Sequence, residues 1–260
     1  MKLYLKYILF MLKSQMQYKA SFAMAVFTQF LTPFTALAGI YLLFDRFGSI
    51  KGWEVYEVFM CFSVIGASFA LSTCFARGFD SFAGLVRNAG FDRILVRPRG
   101  TVVQVLGSQF DIKRIGHLIQ AVTVLAAAIG GVDIPWDAVK LITVANMILG
   151  GTCIFTGVYM LQATMAFWTI EALEVANILT HGVREYASYP LNIFPKWISR
   201  FFTFVIPFGC VNYLPLMSVL GHREGSEILY MLVPLLGMVF LLPCILAWNF
   251  GVRHYRSTGS

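Results

Sequence analysis

The chain has 260 residues, of which 58% are apolar and only 13% charged, with a mean hydropathy of +0.73. A soluble domain carries about twice that charged fraction, so the composition excludes a soluble fold and indicates a polytopic membrane protein. The net charge of +7 is not a nucleic-acid signal, because the basic residues gather in particular loops, as membrane topology requires.

Residues 2–19 read as an amphipathic helix. Lys2, Lys6, Lys13 and Gln17 fall on one face at 100° per residue, and Leu3, Leu5, Ile8, Leu9, Phe10 and Leu12 cover the rest. That pattern suits a helix lying in the membrane interface, as a simple anchor or as a contact for a cytosolic partner. No small-residue cleavage site precedes the first span, so no cleavable leader is expected.

The first span is expected over 20–44, long enough at 1.5 Å per residue to cross a core of about 30 Å. Gln29, Thr32, Pro33 and Thr35 make it mildly polar. A polar loop, Asp45 to Glu57, leads to a second span over 58–76, where Gly66 and Ala70 form a small-xxx-small pair.

Residues 77–114 are the most basic stretch, with Arg77, Arg87, Arg93, Arg97, Arg99, Lys113 and Arg114. The positive-inside rule makes this loop cytoplasmic. It contains a short helix: Asp80 or Ser81 as N-cap, Phe82, Leu85 and Val86 as an apolar face, and Gly90 as the stop. Such a helix either docks into another protein or hugs the membrane.

The third span is expected over 115–132. His117, near its start, has no second ligand at i+3 or i+4 and reads as a packed or interfacial histidine. A tight outer turn with Pro135 leads to a fourth span over 139–167, where Gly150, Gly151 and Gly157 allow close packing. Five cysteines, each alone in an apolar run, read as small packing residues.

The stretch 167–221 differs from what precedes it. It carries Glu171, Glu174, His181, Arg184, Glu185, Lys196 and Arg200, and it is broken by Pro190, Pro195, Pro207 and Pro215. Charges and helix breaks at membrane depth cost several kcal/mol unless protein or water surrounds them, so a path through the protein is expected here. His181, Arg184, Glu185, Pro190, Pro195 and Asn212 are its candidate lining. Arg184 and Glu185 point about 100° apart on a helix, and Glu185 stands four residues from His181. A neutralised polar cluster that merely holds helices together would carry the same residues.

Two threadings fit. In one, 201–220 is the fifth span and 169–200 a cytoplasmic loop, which the basic-residue bias slightly favours. In the other, 170–190 crosses and 190–221 forms a re-entrant element on the outer side. The second is preferred, because Pro207, Gly209, Asn212 and Pro215 interrupt 201–220, and protein-buried re-entrant elements tolerate such breaks. A sixth span over 229–250, followed by Arg253, His254 and Arg256, returns the C-terminus to the N-terminal side.

No G-x-x-x-x-G-K-[ST], G-x-S-x-G or H-E-x-x-H occurs. The four histidines stand far apart with no carboxylate at ligand spacing. No catalytic residue, cofactor or metal site is expected on this chain, and it must borrow energy from elsewhere. A stand-alone secondary transporter or channel would show inverted repeats and a midplane ion site. No repeat relates the halves.

The chain resembles permease subunits of the ABC-2 type exporter family, in particular six-span bacterial permeases encoded with a separate ATPase. The resemblance is carried by GFDRILVRP (Gly90–Pro98), AFWTIEALE (Ala166–Glu174), YPLNIFPKWISRFFTFVIPFGCVNYLP (Tyr189–Pro215) and the ending GVRHYRSTGS (Gly251–Ser260). It implies an all-α fold of six transmembrane helices with an N-terminal interfacial helix, a cytoplasmic coupling helix and an outer re-entrant element before the last span.

On this resemblance, Asp80, Phe82, Leu85, Arg87, Asp92, Arg93 and Arg97 belong to the region that meets the ATPase, with Glu171 and Glu174 at a second contact. The implied partners are a cytosolic ABC ATPase subunit, which holds ATP and Mg, a second permease chain, identical or related, and membrane lipid. The implied location is the bacterial cytoplasmic membrane with both termini inside, and the implied activity is ATP-driven export of an amphipathic or hydrophobic substrate.

Overall fold

The computed structural model describes residues 2–169, 180, 182–222 and 226–255, with the backbone alone for 2–8. Among these residues there are helices and turns but no strand. The chain is an all-α polytopic membrane protein. Five of its helical stretches are long and apolar enough to cross a membrane: Lys19–Phe47, Val55–Arg87, Ile112–Gly131, Ala138–Met165 and Glu227–His254. A further pair, Lys196–Phe204 and Gly209–Val219, passes the same test jointly but is bent by 87°.

Helix α1 (Lys2–Gln15) leads through a short turn into α2 (Lys19–Phe47). Three threonines of α2 are satisfied within the helix itself, since Thr28, Thr32 and Thr35 each donate to a carbonyl three or four residues back. Helix α3 (Val55–Asp80) begins with a capping box in which Glu54 and Glu57 satisfy each other's backbone N–H groups. Three short helices follow: α4 (Phe82–Arg87), α5 (Asp92–Leu95) and α6 (Thr101–Leu106). Then come α7 (Ile115–Gly131) and α8 (Ala138–Met165), the latter capped by Asp137, whose carboxylate accepts the Lys140 N–H.

Residues 182–187 are helical (α9). A 3-10 turn at Leu191–Ile193, α10 (Lys196–Phe204), a π-helical turn at Gly209–Tyr213 and α11 (Leu214–Val219) make up the broken stretch. Pro207 sits at its 87° bend. Helix α12 (Glu227–Leu232), a 3-10 turn at Val233–Leu235 and α13 (Leu236–His254) complete the chain.

Helix α3 is the central one. Its most apolar stretch is 78% buried, against 17% for α2 and 17% for the last crossing helix. Small and hydroxyl side chains make this possible, because they let neighbouring backbones approach without leaving a polar group unpaired. The Ser68 hydroxyl lies 3.1 Å from the Ile148 carbonyl, Ser72 lies 3.1 Å from Thr156, and Thr73 lies 3.0 Å from the Tyr159 hydroxyl. These contacts form a polar seam with α8. On the other side α3 meets α7, and α2 packs outside α7.

The closest helix crossings need glycine. A Cβ on Gly116 of α7 would stand 2.0 Å from the Val26 carbonyl oxygen of α2, and one on Gly237 would stand 2.3 Å from the Gly150 carbonyl oxygen.

Candidate functional site

Three side-chain constellations distinguish this bundle: one at each end and one between them.

At the basic end, the short helix expected after α3 is present as α4. Asp80 does not cap it. That carboxylate belongs to the last turn of α3 and pairs with Arg77 at 2.8 Å, while Ser81 occupies the cap position with its hydroxyl turned back to donate to the Arg77 carbonyl at 3.1 Å. Nor is the apolar face offered outward, since Phe82 and Val86 are buried inside the chain's own core. The hydrophobic gain of burying a phenyl ring, about 1.5–3 kcal/mol, is realised internally. What remains outside is Gly84, Arg87 and Asn88. After α4 the chain turns at Ala89, which adopts a left-handed φ of 52°. Gly90 closes the turn, its N–H donating to the Leu85 carbonyl at 2.8 Å.

Phe82 is the hub of an aromatic knot. Its ring lies 5.0 Å from Phe91, 5.2 Å from Phe167 and 4.8 Å from Trp248, and Tyr255 meets Phe91 at 5.0 Å. These are edge-on contacts, each worth about 0.5–1.5 kcal/mol beyond area burial. Phe167 follows α8 and Trp248 lies on α13. The Trp248 indole N–H also donates to Thr101 at the start of α6, at 3.0 Å. The loop after α3 is therefore fastened to the ends of two long helices. Arg87, Arg93 and Arg97 are exposed, Asp92 is half-buried at the start of α5, and Leu85 is half-buried. Glu171 and Glu174 lie outside the described residues.

At the opposite end, the broken stretch is fastened to the loop before α3. The Trp53 indole N–H donates to Asn192 Oδ1 at 3.0 Å, and Lys51 Nζ reaches the Asn192 and Ile193 carbonyls at 3.1 Å each. At the far end of the stretch, His222 Nε2 lies 2.6 Å from Glu57 Oε1. Residues 192 and 222 thus flank the same end of α3, and the chain between them bends back. Trp168 stacks on Phe250 and Phe167 belongs to the basic end, whereas Asn192 belongs to the opposite one.

Between the ends, Arg184 is half-buried and Glu185 exposed, as adjacent positions on a helix require. The Arg184 guanidinium lies 4.7 Å from the centre of the Phe69 ring, and its Nη2 lies 3.5 Å from His117 Nε2. A guanidinium only donates, so this contact needs the lone pair of Nε2. No carboxylate pairs with Arg184 among the described residues. Gln120, one turn on from His117, is fully buried, and both its amide atoms lack a partner among the described residues. Asn212 donates from Nδ2 to the Ala187 carbonyl at 2.9 Å, holding the broken stretch against α9. Pro190 is buried, Pro195 is exposed, and His181 lies outside the described residues. The structure thus joins Arg184 to His117 through one contact and Asn212 to α9 through another, and it leaves Pro195 apart.

A family model described as ABC-2 family transporter protein matches residues 30–259. The chain belongs to the ABC-2 transporter family. No curated protein and no solved structure matches it. ABC-2 permeases are membrane components of transporters and in general work with ABC ATPase partners. Helix α1 and the first turns of α2 precede the matched region of this ABC-2 chain.

Several residues of this ABC-2 permease escape sequence reasoning. Trp248 sits in an apolar run, while Phe79, Phe91 and Tyr255 stand among charged and polar residues, and no local signal brings the four together. Glu57 and His222 stand 165 residues apart. The Glu54–Glu57 spacing signals a capping box, but no sequence signal joins Glu57 to His222. Gln29 is legible only as mild polarity, yet it accepts from Arg114 at 3.1 Å, which explains a polar side chain on α2.

Proposed function

We propose that this chain is the membrane permease of an ATP-driven exporter, in which a separate cytosolic ATPase pushes on the loop between α3 and α7 and opens a path that ends beside the broken stretch. The carrying observation is the aromatic knot around Phe82. A short helix whose buried face meets Phe167 and Trp248, and whose outer face is Gly84, Arg87 and Asn88, is built to pass displacement from a bound protein to α8 and α13. Coupling requires contacts that differ between two states, and a tightly packed lever supplies them more readily than a loop lying on lipid.

In this reading the end bearing residues 77–114 faces the cytoplasm and both termini lie there, as the positive-inside rule favours. The membrane is the bacterial cytoplasmic membrane. ATP and Mg bind the ATPase, which meets Asp80–Arg97 and, as a second contact, Glu171 and Glu174. The path forms between this chain and a second permease chain. His181, Arg184, Glu185, Pro190, Pro195 and Asn212 lie along it, and the segment 190–221 is an outer re-entrant gate. The cargo is amphipathic or hydrophobic.

Charge reversal at Arg87 tests the coupling. Arg87→Glu is exposed and leaves the knot intact, so the protein folds and inserts while ATP-driven export falls at least tenfold. Export at the wild-type rate in that variant removes the coupling role from α4.

A further inference from the structure

A cleft of about 400 Å³ opens at the basic end between α1 and the segment 85–108. Phe10 and Met11 of α1 line one side, and Leu85 and Ile94 line the other. Arg93 and Arg97 also line it, both exposed and neither in an ion pair among the described residues. Two unneutralised cations beside an apolar floor suit an amphiphile with an anionic head.

A third feature narrows the head group. Gln104 lines the same cleft and is 7% exposed. Its Nε2 donates to the Ile94 carbonyl at 3.2 Å and the Arg99 carbonyl at 2.9 Å, which fixes the amide, and its Oε1 is buried without a partner among the described residues. An orphan acceptor wants a donor, and neither a phosphodiester nor a carboxylate has one. A hydroxyl carried beside the phosphate does.

The location agrees. Helix α1 is one short turn from α2 and is held at this end by Gln15, whose side chain donates to the Phe110 carbonyl and accepts from the Ile112 N–H. Leu9 and Phe10 stay exposed, at 58% and 72%. An amphipathic helix with such residues lies at the level of lipid head groups.

We infer that the cleft between α1 and residues 85–108 binds an anionic phospholipid with a hydroxylated head group, of the phosphatidylglycerol type. The phosphate lies between Arg93 and Arg97, a head-group hydroxyl donates to Gln104 Oε1, and the acyl chains run over Phe10, Met11 and Leu85. The lipid then acts as a wedge between α1 and the loop after α3. This site rests on the cleft alone and not on the transport reading, in which Arg93 and Arg97 instead belong to the ATPase contact.

The test is the thermal midpoint of the full-length protein in detergent, titrated with lipids of matched acyl chains. Phosphatidylglycerol is expected to raise the midpoint by several degrees over phosphatidylcholine. The increment should be lost in Arg93→Gln/Arg97→Gln and kept in Arg93→Lys/Arg97→Lys. Gln104→Leu should abolish the preference for phosphatidylglycerol over phosphatidic acid, which lacks the extra hydroxyls, while keeping the preference for either over phosphatidylcholine. Equal stabilisation by phosphatidylcholine overturns the proposal, as does an increment that survives the double glutamine variant. An equal shift from millimolar glycerol 3-phosphate identifies a soluble-anion site instead. A double glutamine variant that loses ATPase co-purification but keeps the lipid increment makes the arginines a protein contact and also overturns it.

Discussion

Arg184 and His117 meet at 3.5 Å although 67 residues separate them in sequence. Both lie within the bundle, and the guanidinium also covers the Phe69 ring at 4.7 Å. A cation at this depth without a paired carboxylate among the described residues is costly to keep. In the proposed function it lines the path, and a polar cluster that holds helices together is the competing reading.

Arg184→Ala is therefore expected to lower transport at least about tenfold, equivalent to about 1.4 kcal/mol in the barrier. Stability should change by less than about 1 kcal/mol, because the lost cation–π contact, about 0.5–2 kcal/mol, is offset by removing a poorly solvated charge. Transport in proteoliposomes and thermal midpoints in the same preparation check both parts. Unchanged transport in a well-folded variant would reduce Arg184 to a packing residue.

Glu57 satisfies the Glu54 N–H at 2.8 Å and also meets His222 at 2.6 Å. The contact clasps the end of the broken stretch to the start of α3. A double-mutant cycle on Glu57→Gln and His222→Gln should return a coupling of about 1 kcal/mol, near the upper end for a pair with one half-exposed partner. Denaturant titration of the four proteins measures it. A coupling near zero would mean that Trp53 and Lys51, with their bonds to Asn192 and Ile193, hold the stretch without it.

Phe82→Ala empties the centre of the aromatic knot. Truncating a buried phenylalanine costs about 3–5 kcal/mol, so yield and thermal midpoint should both fall. Phe82→Leu keeps most of the volume and should cost about half as much while still weakening ATP-driven export. An alanine variant as stable as wild type would show that the knot does not fasten α4 to α8 and α13.

Gly116 and Gly39 should behave oppositely. A Cβ at Gly116 would meet the Val26 carbonyl oxygen at 2.0 Å, whereas nothing lies within 4 Å of one at Gly39. Gly116→Ala should cost about 1–3 kcal/mol through forced separation of α2 and α7. Gly39→Ala should be neutral or stabilising by up to about 1 kcal/mol, the ordinary helix preference. The thermal midpoints of the two variants decide it.

The long elements were legible in the sequence because crossing a bilayer demands continuous apolar helix, and α2, α3, α7, α8 and α13 meet that demand with little to confuse it. The short helix after α3 was legible from Ser81 and Gly90, but its orientation was not. Periodicity shows which residues share a face, and it does not show whether Phe82 faces a partner or its own core. Asp80 looked like a cap because a carboxylate before an apolar run usually is one, and the competing Arg77 three residues earlier took it instead. His117 read correctly as a packed histidine, but its contact with Arg184 spans two distant helices and leaves no local mark. The same holds for Trp53 with Asn192 and for Glu57 with His222, where fold geometry alone brings the partners together.

The most direct measurement is ATP turnover, in lipid, by the ATPase purified together with this chain. A stable complex whose turnover depends on the chain and falls several-fold with Arg87→Glu is the expected result. A chain that purifies alone and leaves the ATPase rate unaffected would contradict the coupling role of α4 and make a self-sufficient transporter the better account.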